Sequence, residues 1–190
     1  MRRLGLYCGV VGIALAALMV WTPTTRVKAD GRSIVGTWMF TTTLNTPPGA
    51  PPFIFTELAA INPGGTYVDA HGIAFNSQNP FAPPPIAVDS SDAYGSWQRL
   101  GDTNQFATTH KRLLFAGANT PPALYGSFFP GQNVGALTVE TVLTLQAGQG
   151  GDTLSGPFTA QFTNLEGQVV FAASGMVSAT RLAIQPLTNH

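Results

Sequence analysis

Along residues 134–145, apolar and polar positions alternate. Leu137, Val139, Leu143 and Leu145 fall on one face, with Thr138, Glu140 and Thr144 on the other. Successive side chains of a strand point to opposite faces, so a two-residue period predicts a half-buried β-strand. The same period puts Leu154, Phe158 and Phe162 on one face over 153–163, and Val169, Phe171, Val177 and Arg181 on one face over 169–184. Near the start, Ile34, Trp38, Phe40 and Leu44 share a face over 33–44. No window carries a helical apolar period, so the pattern predicts an all-β domain.

Eight strands are predicted, at about 33–44, 53–61, 66–72, 94–100, 105–115, 134–145, 153–163 and 169–184. Asn62-Pro63-Gly64-Gly65, Gly101-Asp102-Thr103-Asn104, the glycine-rich 147–152 and Leu165-Glu166-Gly167-Gln168 join neighbours as tight turns, because Asn, Asp and Gly supply the positive φ that hairpins need. The other connections are long and proline-rich: 45–52 with four prolines, 73–93 with Pro80 and Pro83-Pro84-Pro85, and 116–133 with Pro121-Pro122 and Pro130. In an up-and-down order, the connections after the first, third and fifth strands lie at one end. All three long loops then gather at a mouth, and tight turns close a floor. The predicted fold is an eight-stranded antiparallel up-and-down β-barrel.

Composition adds a leader. Arg2 and Arg3 precede an apolar run from Leu4 to Trp21, and Val27-Lys28-Ala29 has small residues at the positions a signal peptidase reads. Residues 1–29 are therefore expected to be a secretory signal peptide cleaved after Ala29, with 30–190 a single barrel domain. An uncleaved membrane anchor is the alternative, and the leader is the only membrane contact foreseen. Without the leader, five basic residues face nine acidic ones, a formal net charge of −4. No basic patch remains, which excludes nucleic acid as an expected partner. The one cysteine, Cys8, leaves with the leader, so no disulfide staples the domain.

Arg181 falls on the inner face near the end of the last strand, and Trp38 on the inner face at the start of the first. These strands are neighbours when a barrel closes, so a guanidinium stacked on an indole is expected to plug the floor. Gly36-Thr37-Trp38 on the first strand with Arg181 late on the last resembles the lipocalins and the wider calycin superfamily. There, the Trp and Arg pack at the closed end of an eight-stranded barrel. The resemblance in layout covers about 33–184, and its motif is carried by Gly36, Trp38 and Arg181. It departs from the family in having no Thr-Asp-Tyr-like motif between the sixth and seventh strands, no helix after the barrel and no disulfide. Allene-oxide-cyclase and dirigent barrels are similar in size and strand count.

No catalytic motif stands out. His-x-x-x-His and Cys-x-x-Cys spacings are absent, as are a phosphate loop and a nucleophile elbow, so neither a metal nor a cofactor is expected. Three weaker constellations remain. Tyr67, Asp69 and His71 share a face of the third strand. An acid beside an imidazole can orient or poise it, but alternation with Val68 and Ala70 turns the three outward to solvent. Glu57 goes with Phe53, Phe55, Ala59 and Ile61. If that set faces inward, the carboxyl sits among aromatics as a candidate general acid or polar anchor; if Ile54, Thr56, Leu58 and Ala60 face inward, it is outside. His110 and Arg112 share a face with Phe106, Thr108 and Leu114. Arg112 suits a partner such as Glu57 or an acidic head group, though a solvated exterior is the commoner fate of such a cluster.

Three functions follow from such a barrel. The first is binding of a small hydrophobic ligand by a secreted protein, with Phe40, Phe55, Trp97, Tyr125, Phe158 and Phe171 as the aromatic lining. The second is an isomerase or cyclase of the allene-oxide-cyclase kind, with Glu57 as the catalytic carboxyl. The third is a structural or interaction role for a solid core, which the 12 phenylalanines make feasible.

Overall fold

A computed structural model describes residues 33–46, 49, 51–70, 77–78, 86–148 and 151–183. The expected leader and His71 lie outside these residues. The strands are β1 (Gly36–Leu44), β2 (Phe53–Ile61), β3 (Thr66–Ala70), β4 (Asp89–Ser90), β5 (Ala93–Arg99), β6 (Gln105–Phe115), β7 (Asn133–Gln146), β8 (Thr153–Asn164) and β9 (Val169–Arg181). A four-residue helix, α1 (Pro122–Tyr125), interrupts the β6–β7 connection.

Every pairing is antiparallel, and the order β3-β2-β1-β9-β8-β7-β6-β5 closes on itself through β5–β3. The two-residue β4 pairs with the end of β6 just beyond β5, through Asp89 opposite Phe115 and Ser90 opposite Leu114. The closed wall is thus the eight-stranded up-and-down barrel that alternation predicts. Connections after β1, β3 and β6 leave one end, and those after β2, β5 and β7 leave the other.

The inner face carries the predicted apolar sets. Ile34, Trp38, Phe40, Leu137, Leu143, Leu145, Leu154, Phe158 and Phe162 are all buried. Val169 differs, being 54% exposed. The β8–β9 ladder shifts register between Phe162 and Thr163, so Phe162 faces Phe171 while Thr163 faces Val169. The extra residue, Val170, breaks the alternation and turns Val169 out.

The floor forms as expected. Trp38 and Arg181 are paired residues of β1 and β9, and Arg181 Cζ lies 4.3 Å from the Trp38 ring centroid. Trp38 Nε1 donates to the Ile34 carbonyl at 2.8 Å. Arg181 donates to the Val35 carbonyl at 2.5 Å, the Ser33 carbonyl at 2.6 Å and Asp152 Oδ2 at 3.0 Å. Gly36 has a φ of 146°, and a Cβ there would strike Arg181 Nη1. The glycine of the Gly-x-Trp motif therefore makes room for the guanidinium, as well as adopting a backbone conformation closed to most residues.

Candidate functional site

Directly opposed residues of paired strands share a face. Tyr67 opposes Ile61 and Asp69 opposes Ala59, and both partners are 1% exposed. Tyr67 and Asp69 therefore point into the barrel, at 4% and 0% exposure, and the expectation that alternation turns them out to solvent is corrected. Small Val68 and Ala70 tolerate the outside; the register with β2 decides the face. The same register settles Glu57. Ile54 and Leu58 are 56% and 49% exposed, so the Phe55, Glu57, Ala59 and Ile61 set is interior. On β6, Phe106, Thr108, His110, Arg112 and Leu114 are all buried, so the solvated exterior foreseen for His110 and Arg112 is also corrected.

Within the barrel these side chains meet. Arg112 Nη2 donates to Glu57 Oε1 and, at 2.6 Å, to Asp69 Oδ2. His110 Nε2 lies 3.9 Å from Asp69 Oδ2. The Tyr67 and His110 rings stack, with centroids 4.7 Å apart and planes 10° from parallel. Gly95 opposes His110 across β5–β6, and a Cβ there would fall 2.6 Å from His110 Cα. Gly95, the glycine of Gly95-Ser96-Trp97, thus leaves room for the Thr109 carbonyl and for His110. Thr108 and Thr141 join hydroxyls at 2.9 Å across β6–β7.

Burial sets the electrostatics. Asp69 is raised from 3.8 to about 8, first by desolvation and then by the Glu57 charge, against the pull of Arg112. One guanidinium neutralises one of the two carboxylates, and the other is held as the acid. His110 is lowered from 6.5 to about 4 by desolvation and by Arg112, so its imidazole is neutral at pH 7. Tyr67 is raised well above 10 by desolvation, with Asp69 and Glu57 adding to it. Arg112 Nη1 and His110 Nδ1 are buried and have no hydrogen-bond partner among the described residues.

This cluster forms one side of an internal cavity. Glu57, Tyr67, Thr108, His110, Arg112 and Thr141 are polar residues of its lining; Phe40, Phe55, Ile86, Phe158, Phe162 and Phe171 are among the apolar ones. Asp69 pairs with Arg112 and is not among the residues lining the space. The cavity is about 40 Å³, within an envelope of about 610 Å³ that includes volume open to solvent. The smaller figure bounds what enters without rearrangement: a few water molecules at roughly 10–15 Å³ each on this measure, or a compact organic molecule if side chains give way.

Of the aromatic residues singled out in the sequence, Phe40, Phe55, Phe158 and Phe171 line this cavity. Trp97 and Tyr125 do not. Trp97 sits by the β2–β3 turn, where its Nε1 donates to the Asn62 carbonyl at 2.9 Å and its ring meets Phe106 edge-on. Tyr125 is buried in α1, packed in the core. Thr108 is foreseen only as a neighbour of His110 on its strand and Thr141 not at all, because their pairing depends on the β6–β7 register. Among the described residues, no group of three His, Cys, Asp or Glu side chains is placed to hold a metal ion.

The fold and site define a class: a closed eight-stranded antiparallel barrel, consistent with a calycin-like barrel, with a charged cluster on its inner wall. The chain matches no protein-family model and no curated protein sequence.

Proposed function

We propose that this protein is a secreted, lipocalin-like barrel that binds a small, mainly apolar molecule in its interior. The observation that carries the reading is the Arg112–Glu57–Asp69 cluster beside a phenylalanine-lined cavity. A buried ion cluster adds little net stability, since apolar residues of similar volume do as well or better. A barrel interior serving only as a core has no need of it, whereas a binding cavity uses a few convergent polar groups to orient an apolar ligand. The Trp38–Arg181 floor supports the calycin comparison, and the sequence of residues 1–29 supports export.

Native mass spectrometry of the protein from its own host tests this. A reproducible small-molecule adduct is expected. A bare protein mass under gentle conditions, with no change in intrinsic fluorescence across a panel of apolar compounds, would leave a packed barrel with a structural role.

A second reading is an isomerase or cyclase. It is favoured by Glu57, whose carboxyl lies on the cavity wall with its side chain 11% exposed. In that case a bound compound is converted to an isomer, detected by chromatography, and Glu57→Gln abolishes conversion while the circular dichroism spectrum is kept. Undiminished conversion in that variant removes Glu57 from the chemistry.

A further inference from the structure

Resting on the binding reading, we propose that the ligand's head group is a neutral oxygen acceptor, a carbonyl or hydroxyl on a compact apolar skeleton, received by Arg112 Nη1 and His110 Nδ1. The argument begins with how the guanidinium is used. Both carboxyls accept from the same guanidinium nitrogen, Nη2. The other, Nη1, has no acceptor among the described residues, although Arg112 is 2% exposed and lines the cavity. A buried donor left unpaired carries a penalty of about 1–3 kcal/mol, more when charged. His110, 5% exposed on the same wall, has Nδ1 unpartnered as well. An oxygen placed in the cavity satisfies the guanidinium donor, and a hydroxyl can also answer the imidazole in either tautomer.

Charge then selects among oxygen-bearing groups. The wall holds one guanidinium, two carboxyls and an imidazole whose burial keeps it neutral. A ligand carboxylate would be a third acid on a single cation that Glu57 already engages. An ammonium offers no acceptor to Nη1 and would stand beside a guanidinium. A carbonyl or hydroxyl brings no charge and disturbs neither pairing. Phe40, Phe55, Phe158 and Phe162 take the rest of the molecule, and the small cavity favours a compact skeleton.

The test is titration of the full-length protein at pH 7 with hexane, 1-hexanol, 2-hexanone, hexanoate and hexylammonium, following the His110 ring resonances by NMR. 2-Hexanone and 1-hexanol are expected to bind about tenfold or more tightly than the other three. Arg112→Lys keeps a cation for the carboxylates but removes the second fork nitrogen. His110→Phe keeps a ring against Tyr67 but removes Nδ1, and is followed through the Tyr67 ring resonances. Either variant is expected to reduce the carbonyl advantage over hexane to about threefold or less; if Arg112→Lys does not fold, His110→Phe decides. Tightest binding of hexanoate or hexylammonium, or equal binding of all five, overturns the head-group assignment and leaves the binding reading intact. No binding by any of the five overturns both.

Discussion

The interior acid and imidazole together predict an unusual pH profile of stability. Asp69 has a folded value near 8 against 3.8 in an unfolded chain, and His110 one near 4 against 6.5. Stability falls with pH wherever the native state holds more protons than the unfolded state, and rises where it holds fewer. Between about pH 4 and 6.5 the native protein keeps an extra proton on Asp69, while the unfolded chain keeps one on its histidine. The two contributions cancel, and the profile from this cluster is flat. Between about 6.5 and 8 only the Asp69 difference remains, so stability declines as pH rises, by up to about 1.4 kcal/mol per pH unit. Across the window the loss is roughly 2 kcal/mol, and above pH 8 it levels off. Tyr67, raised well above 10, stays protonated throughout. The assay is urea unfolding followed by tryptophan fluorescence at half-unit pH steps, comparing midpoints at constant m-value. Asp69→Asn mimics the neutral acid and is expected to abolish the decline. His110→Phe removes the counterweight, so the decline should begin near pH 4. Stability that rises between pH 6.5 and 8, or a decline that survives in Asp69→Asn, refutes the account of the cluster.

Other predictions concern Arg112 and the Trp38–Arg181 floor. Arg112→Met strands two buried carboxyls and should cost about 3–5 kcal/mol in urea unfolding at pH 7, whereas adding Glu57→Gln and Asp69→Asn should recover most of that loss. A single variant as stable as the wild type would mean the cluster is not desolvated. Gly36→Ala places a Cβ against Arg181 Nη1 at a φ of 146° and should cost roughly 1–3 kcal/mol by the same assay. Arg181→Lys loses the planar stack on Trp38 and the forked contact with the Ser33 and Val35 carbonyls. It should destabilise by roughly 1–3 kcal/mol, despite keeping its charge.

The barrel was legible because its information is local. Alternation in 134–145 and 153–163, glycine- and asparagine-bearing turns and the sorting of proline-rich loops all act within a strand or a hairpin. The floor was legible for a different reason: barrel closure makes the first and last strands neighbours, so Trp38 and Arg181 meet without any further information. The charged cluster was not legible. Tyr67 and Asp69 sit on a five-residue strand whose other side chains are small enough for either face, and polarity alone turns an aspartate outward. The β2 register turns Asp69 inward, and what makes it tolerable there is Arg112 from β6, 43 residues away. A carboxyl and a guanidinium that each look misplaced on their own strand become compatible only when the β2–β3–β5–β6 register is known. Val169 failed at the smaller scale of a single bulge, which period-counting does not see.

The two interior arginines show why one end of this barrel is read as structure and the other as a site. Arg181 stacks on Trp38, and all three of its nitrogens donate, to two carbonyls and Asp152. Its side chain is 26% exposed, so its charge is also partly solvated. Nothing more is needed to hold it, and its removal should appear in stability alone. Arg112 is more deeply buried and less completely answered: two acids crowd one nitrogen, and the other has no partner among the described residues. Water answers the polar side of such a centre but not the phenylalanine side chains that also line the cavity. A molecule with one oxygen and an apolar body satisfies both walls at once. The argument therefore rests on the contrast between a saturated guanidinium and an unsaturated one in the same barrel, and Arg112 is where substitution should change ligand preference as well as stability.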